Sequence, residues 1–379
     1  MRKLIVLTVG SLLLGAAPLS AAAPEPAAKT GHWRFTMNEP GPDLQKIGAA
    51  RQQKLKKDLQ EIVKVVTALP VMKTPRGFEA RFWGTAAPRD RYDICRGKDC
   101  PPARATAVLA LMIGRYENRD GKIKAAFNKP ATMDISVNNL GHVFANLPVL
   151  YRGDDIILFP EPQAAGQRAG MPAFLNNGHA VAVLTNSDQP LWRPVTREQY
   201  LQAAVASVNR ELRDPNANSS GDRRMLMVEE GKTWLDPAKE KNRVEQSRSL
   251  AHGLREAPEV LQLRLIQLQG ELDALPAEQR GLPARVELRQ GDTGIVPQLL
   301  PADSTAGTAV VTPNFAYFSR KLPADAVQLL TVQWKLDGGP LYDPGAAGIA
   351  DNLSNKVLLD IYRNLDWQKL RNRIIRTAP

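Results

Sequence analysis

Residues 105–121 read ATAVLALMIGRYENRDG, an apolar stretch that ends in a turn motif. Residues 105–116 are rich in apolar side chains, over a length that suits a strand and is too short to span a bilayer. Residues 118–121, with the sequence NRDG, are typical of a tight hairpin turn. The stretch therefore predicts a strand followed by a hairpin turn.

Strand character continues on both sides of this stretch. Residues 78–82 alternate between apolar and charged side chains, the period of a half-buried strand. The connections are too short for helical crossovers, so we expect a mainly antiparallel sheet. The other predicted strands are residues 132–137, 142–147, 155–159, 179–185, 285–289, 309–312 and 326–334.

Helical periodicity marks both ends of the predicted sheet. Asp43 is a plausible cap for a first helix, whose apolar residues fall largely on one face before Pro70. A final helix is predicted over residues 354–376, with several basic residues near its end, where positive charge favours a helix C-terminus.

The middle of the chain is also predicted to be helical. Thr196 and Gln199 form a capping box at the start of a helix that runs to about residue 212. Residues 236–254 predict a polar helix, and Pro258 opens another helix. Its leucines are spaced by four and three residues over only about two heptads, which favours core packing of a helical hairpin over a coiled coil.

These elements predict an α+β fold. We expect a mainly antiparallel sheet covered by N- and C-terminal helices, with a helical subdomain inserted between the two halves of the sheet. The predicted organisation is a signal peptide at 1–22, a flexible tether at 23–42, a helix and the first half of the β domain at 43–195, a helical insertion at 196–280, and the second half with the last helix at 281–379.

The N-terminus has the pattern of a bacterial export signal. Arg2 and Lys3 precede an uncharged apolar run at residues 4–17, followed by small residues that suit cleavage after Ala22. This run is shorter than the roughly 20 residues needed to span a bilayer. We therefore expect a periplasmic or secreted protein with no membrane span after cleavage.

Composition points to acidic partners. The formal charge is +11, and removal of Arg2 and Lys3 with the leader lowers it by two. Outside the cytoplasm, nucleic acid is not an expected target. The charge favours an anionic envelope polymer or an acidic protein, although a high isoelectric point also arises from the general composition of a source organism's proteins.

Cys95 and Cys100 are the only two cysteines. In an oxidising compartment they are expected to form a disulfide, which closes a six-residue loop and contributes about 2 kcal/mol. Redox or metal chemistry is the alternative. It is less favoured because the spacing is not C-x-x-C and no second cysteine pair exists.

No motif identifies a reaction. The four histidines lack zinc-site spacing, and the mature chain has neither the nucleophile-elbow motif nor a phosphate-binding loop. We therefore predict no cofactor and no metal, and the catalytic residues, if any, are unknown. The sequence favours a non-enzymatic envelope binding or scaffold protein. The alternative is a hydrolase acting on a polysaccharide or peptidoglycan, with His142, His179 or a glutamate in a pocket.

Two aromatic segments are the candidate partner contacts. Trp192 lies in a proline-flanked connector, and Phe315, Tyr317 and Phe318 lie close together before the strand predicted at 326–334. These aromatic side chains are candidates to line a groove for sugar or peptide. The alternative is that they pack beneath the edge of the sheet.

Overall fold

The computed structural model describes residues 25–37, 49–87, 105–128, 130–144, 147–168, 170–176, 179–213, 258–291, 294–323, 325–336 and 351–374, and it shows a mixed α+β protein. The predicted signal peptide, Asp43, the Cys95–Cys100 pair and the helix predicted at 236–254 lie outside these residues.

The helices in this part of the chain are α1 Ala49–Thr67, α2 Pro70–Lys73, α3 Gly141–Phe144, α4 Arg197–Arg213, α5 Pro258–Asp273, α6 Ala277–Arg280, α7 Leu353–Asn364 and α8 Trp367–Ile374. The strands are β1 Trp33–Met37, β2 Phe78–Ala87, β3 Thr106–Arg119, β4 Lys122–Ala125, β5 Ala131–Val137, β6 Tyr151–Arg152, β7 Ile157–Pro160, β8 Ala164–Arg168, β9 Met171–Asn176, β10 His179–Thr185, β11 Trp192–Pro194, β12 Arg285–Gly291, β13 Gly294–Leu299, β14 Thr308–Pro313 and β15 Leu329–Lys335.

The first sheet has nine strands in the order β1-β2-β3-β5-β15-β10-β9-β8, with β4 paired to β3. Its pairings are antiparallel except for β1 and β2, which run parallel. Strand β1 falls inside the segment predicted as a flexible tether. It joins the sheet because Phe35 and Met37 pack against the core while the intervening residues stay exposed.

A second sheet separates strands that the sequence analysis placed together. It has six strands in the order β13-β12-β14-β7-β6, with β11 paired to β14. The strands predicted at 285–289 and 309–312 belong to this sheet, whereas the strand predicted at 326–334 is β15 of the first sheet. Periodicity identifies the buried face of a strand but does not identify its neighbours, so a single sheet was predicted where there are two.

Buried side chains from α1, α7 and α8 form one core cluster with one face of the nine-stranded sheet. Leu59 of α1, Leu358 of α7 and Leu109 of β3 are typical members, each almost fully buried. The final helix was predicted as one element, but it breaks at Leu365. Asp366 Oδ1 then accepts a hydrogen bond from Lys369 N at 2.7 Å and caps α8.

Helices α4 and α5 pack against each other and onto the six-stranded sheet. The predicted leucine seam of α5 lies in this cluster, so these two helices of the predicted insertion share a core with the sheet and do not project from it. The predicted capping box is confirmed. Thr196 Oγ1 accepts from Gln199 N at 3.2 Å, and Gln199 Oε1 accepts from Thr196 N at 3.1 Å.

A third cluster joins the two sheets and contains α3. It unites Val183 of β10 with Phe159 of β7 and Phe144 of α3. The strand prediction at 142–147 is therefore wrong, because residues 141–144 form a helical turn. The turn forms because Asn139 Oδ1 accepts a hydrogen bond from His142 N at 3.1 Å, which satisfies an amide at the start of a helix.

Candidate functional site

The candidate site is the face of the nine-stranded sheet that lies opposite α1 and α7. Residues alternate between the faces along each strand, so Phe82 contributes to the helix-side core while Arg81 and Trp83 lie on the other side. We call this side the outer face. It is formed by Arg34, Thr36, Glu79, Arg81, Trp83, Ala110, Met112, Thr132, Asp134, Gln333 and Lys335.

Strand register arranges the outer face in rows that cross the strands. One row, the cationic row, has positive side chains at both ends and consists of Arg34, Arg81, Met112, Thr132 and Lys335. Neighbouring strands are about 4.8 Å apart, so the two ends of this row are separated by roughly 19 Å. An extended ligand lying across the strands can contact both ends.

The adjacent row, the polar row, carries an aromatic residue and two planar polar side chains. It consists of Thr36, Trp83, Ala110, Asp134 and Gln333. Trp83 is 48% exposed, and its neighbours in the row on β1 and β3 are the small residues Thr36 and Ala110.

Within the described part of the chain, positive charge exceeds negative charge at the β1–β2 end. Arg81 Nε donates to Glu79 Oε1 at 2.9 Å, and Arg34 Nη2 lies 3.9 Å from the same oxygen. His32 Nε2 lies 3.8 Å from Glu79 Oε2. Two guanidinium groups thus share a single carboxylate, which compensates for only one of them.

An aromatic ring supports Arg81. The guanidinium carbon lies 3.7 Å from the centre of the Phe127 ring, a cation–π contact. Phe127 reaches this position because residue 114 is a glycine. A Cβ at Gly114 would come within 2.7 Å of the ring.

A buried hydrogen-bonded chain borders the polar row. His142 Nδ1 lies 2.8 Å from Thr331 Oγ1, and His142 Nε2 lies 3.0 Å from Gln333 Oε1. A carbonyl oxygen only accepts, so Nε2 carries the proton and Nδ1 accepts from the threonine hydroxyl. Both ring nitrogens are therefore engaged with neutral partners, and His142 is only 5% exposed.

The aromatic residues predicted as partner contacts belong to the core between the sheets. Tyr317 and Phe318 are buried, and the Tyr317 hydroxyl donates to Thr185 Oγ1. Burial raises the pKa of Tyr317 to about 12. Phe315 is half-buried and packs against the same cluster.

Trp192 also serves this core. It is half-buried, with its ring centre 4.9 Å from that of Phe174 and 6.2 Å from that of Phe144. Its Nε1 donates to Glu161 Oε1 at 3.2 Å. The structure thus packs these aromatic side chains in the core between the sheets, and their role as partner contacts stays a prediction.

Sequence reasoning did not identify Trp83 as a site residue. The signal was present in residues 78–83, because the alternation that buries Phe78, Ala80 and Phe82 places position 83 on the charged face.

The outer face thus combines cations, one half-exposed indole and planar polar groups on a rigid sheet. Within the residues that the structure describes, no cluster of three or more histidine, cysteine, aspartate or glutamate side chains is placed to hold a metal ion. No helix in the same part of the chain has the length and apolar character needed to cross a membrane. Comparison with known proteins finds no matching family model, no matching curated protein and no matching solved structure.

Proposed function

We propose that this protein is exported to the bacterial cell envelope, where it binds an anionic polymer without catalysing a reaction. We further propose that α1 and the two last helices cover the inner face of the nine-stranded sheet. The outer face is then the side that meets the ligand. The leader pattern and the basic composition support export and an acidic partner.

The cationic row is the observation that carries this proposal. Among the residues that the structure describes, Glu79 is the one carboxylate that Arg34 and Arg81 share, and Lys335 has no carboxylate partner. A row with cations at both ends suits a ligand that repeats its negative charge over roughly 19 Å. Exposed cations interact with such a ligand mainly through long-range attraction, so the binding should weaken as salt rises.

A hydrolase is the less favoured candidate. A general base needs a nitrogen or carboxylate that can take a proton from water or substrate. His142, the buried histidine that the sequence analysis considered for this role, uses both nitrogens to hold Thr331 and Gln333. Its geometry supports a positioning role in a binding surface more directly than proton transfer.

The experiment compares two triple variants of the mature chain on immobilised polyphosphate, polyglutamate and polygalacturonate. The test variant is R34Q/R81Q/K335Q. The matched control, R280Q/R289Q/K356Q, removes the same charge from exposed ion pairs with Glu198, Glu287 and Asp351. If binding depends on where the positive charges lie, the test variant should lose affinity and the control should keep it.

We expect the test variant to lose about tenfold or more in affinity and the control to stay within about twofold. Raising salt from roughly 50 to 200 mM should release the wild-type protein. Equal losses in the two variants would show that net charge alone attracts the polymer. Absence of binding to all three polymers would overturn the proposed function.

The export proposal is tested separately, by the N-terminus and the intact mass of the protein. Protein recovered from the envelope fraction should begin at Ala23, and intact mass should show two fewer hydrogens than the reduced chain because Cys95 and Cys100 are joined. An unprocessed cytoplasmic chain with both thiols reduced would refute the export proposal.

A further inference from the structure

We infer that Arg81 recognises the anionic group of the polymer by two parallel hydrogen bonds, from its terminal nitrogens Nη1 and Nη2 to two oxygens of one group. The group is a carboxylate or a phosphate, because both present a pair of oxygens that matches the guanidinium fork. This inference rests on the proposed function and deepens it. Positive charge attracts any acidic chain, whereas paired hydrogen bonds select the group at the point of contact.

Glu79 engages one side of the Arg81 guanidinium. Its Oε1 accepts a hydrogen bond from Arg81 Nε at 2.9 Å. Among the residues that the structure describes, none accepts a hydrogen bond from Arg81 Nη1 or Nη2. A guanidinium carries its five N–H donors in a fixed planar fork. An acceptor at Nε therefore leaves the Nη1–Nη2 edge for a second acceptor.

The second sheet contains the same strand motif with a different use of the donors. Arg289 on β12 follows Glu287 by two residues, and Arg81 stands in the same relation to Glu79 on β2. Arg289 donates from both Nε and Nη2 to Glu287 Oε2, at 2.9 and 2.6 Å. Arg81 therefore keeps a terminal donor that Arg289 uses on its own carboxylate.

Phe127 holds the Arg81 guanidinium by its flat face. The ring centre lies 3.7 Å from the guanidinium carbon, and an N–H directed at the ring would hold that carbon farther away. The Arg81 side chain is 35% exposed, and its two terminal nitrogens are not buried. The ring thus fixes the plane of the fork while the Nη1–Nη2 edge stays accessible. Fixing a donor pair before binding reduces the entropy lost when the ligand arrives.

The other two cations of the row contribute charge without a fixed fork. Arg34 is 55% exposed, and its Nη2 lies 3.9 Å from Glu79 Oε1, beyond hydrogen-bond distance. Lys335 is exposed at the opposite end of the row. An ammonium group is a compact charge on a flexible stem. A lysine in place of Arg81 would therefore keep the charge of the row and remove the paired contact.

The test uses lysine variants of the mature chain, which keep the net charge unchanged. Arg81→Lys is the test variant. Arg289→Lys is the matched control, because it alters the same strand motif on the other sheet. Arg81→Gln removes the charge as well as the fork. Binding to immobilised polygalacturonate, polyglutamate and polyphosphate is measured at roughly 50 and 200 mM salt. Circular dichroism and thermal unfolding establish that each variant is folded.

We expect Arg81→Lys to lose about tenfold in affinity at both salt concentrations and Arg289→Lys to stay within about twofold of the wild type. The salt dependence of Arg81→Lys should match that of the wild type because the number of charges is the same, and that of Arg81→Gln should be weaker. A loss confined to polyphosphate would identify the recognised group as a phosphate. A loss confined to the two carboxylate polymers would identify it as a carboxylate.

Phe127 is a positioning residue and is tested through its effect on Arg81. Phe127→Leu should lose about threefold in affinity, and Phe127→Tyr, which keeps the ring, should restore it. In side-chain NMR, the Phe127 ring should shift the Arg81 Nε–H signal, and Phe127→Leu should abolish that shift. Paired hydrogen bonds slow rotation of the terminal nitrogens, so bound polymer should give Arg81 separate Nη1 and Nη2 signals.

Failure of this inference is distinguishable from failure of the proposed function. If Arg81→Lys binds within about twofold of the wild type while Arg81→Gln is about tenfold weaker, charge alone acts at this position. That result would overturn the paired contact and leave charge-driven binding standing. Equal losses in Arg81→Lys and Arg289→Lys would also overturn the assignment to Arg81. No binding of the wild-type protein to any of the three polymers would overturn both proposals.

Discussion

Replacing Asn138 with alanine should destabilise the protein more than any surface substitution near it. Asn138 directly follows β5 and is 3% exposed. Its Nδ2 donates to Ala105 O at 3.2 Å and to Ala326 O at 2.9 Å. Its Oδ1 accepts from Gln328 N at 2.8 Å and from Leu329 N at 3.3 Å. One side chain therefore satisfies backbone groups that precede β3 and that lead into β15.

The backbone adds a second contribution. Asn138 has a φ of +52°, in the left-handed region where asparagine and glycine are tolerated better than alanine. Loss of about four hydrogen bonds at a buried site costs about 3–4 kcal/mol, and placing alanine in this region costs about 1 kcal/mol more. We therefore expect Asn138→Ala to lower the free energy of unfolding by about 4–5 kcal/mol. Asn138→Gly, which avoids the backbone cost, should lower it by about 3–4 kcal/mol.

Asp120 provides the control for the backbone contribution. It has a φ of +54° in the exposed β3–β4 turn, so Asp120→Ala should cost only about 1 kcal/mol. Urea unfolding measures the three variants. Hydrogen exchange locates the effect, because the amides of Gln328 and Leu329 should lose protection in Asn138→Ala and keep it in Asp120→Ala. Equal costs for the two alanine variants, or a glycine variant less stable than the alanine variant, would refute the reasoning.

Two further predictions follow from the helix cap and from a buried hydroxyl. Thr196→Ala should lower the free energy of unfolding, measured in urea, by about 1 kcal/mol because Gln199 N loses its acceptor. Thr196→Ser should retain most of the stability. An unchanged free energy of unfolding in Thr196→Ala would contradict the capping role. Burial raises the pKa of Tyr317 to about 12, so its contribution is fully present below pH 10, the ordinary tyrosine pKa, and is lost as pH rises from about 10 to 12. Across that window the wild type should lose about 2–3 kcal/mol more stability than Tyr317→Phe, whereas parallel pH profiles would count against it. The pKa of Tyr200 is raised as well, but that group is common to both proteins and cancels in the comparison.

Local signals in the sequence predicted local structure well. The NRDG turn forms the β3–β4 hairpin, with positive φ at both Asp120 and Gly121, as such a tight turn requires. The capping box begins α4 where residues 196–199 indicated. Both depend on hydrogen bonds and backbone preferences within a few residues, and for that reason the sequence alone reveals them.

Contacts and strand pairings between residues distant in the sequence could not be predicted in the same way. Residues 142–147 were predicted as a strand because their apolar content suits one. In the structure, Asn138 hydrogen-bonds to the distant backbone of Ala326, and Asn139 accepts a hydrogen bond from His142 N at the start of α3. The division into two sheets depends on which strands pair. Strand pairing is decided by packing between residues more than a hundred positions apart, as for β5 and β15.

The surroundings of the candidate site residues also depend on long-range structure. Clustered aromatic residues at 315–318 drew attention, yet clustering in sequence is what a core anchor between two sheets also produces. Trp83 directly follows Phe82 in the sequence, and only the strand register shows that it lies beside Thr36 and Ala110 on the outer face. A binding face on a sheet is therefore harder to recognise from sequence than one on a single loop.

The contacts of Arg81 fit the ligand-binding role that we propose for the outer face. An exposed arginine loses up to about 2 kcal/mol of side-chain entropy when it is held in one position. Here the cost is met during folding, because Glu79 fixes Nε and the Phe127 ring lies beneath the guanidinium. A second carboxylate would have fixed the group equally well, but it would have cancelled the charge. Holding a cation with an aromatic ring preserves its field for a partner, and Gly114, which leaves room for that ring, is part of the same arrangement.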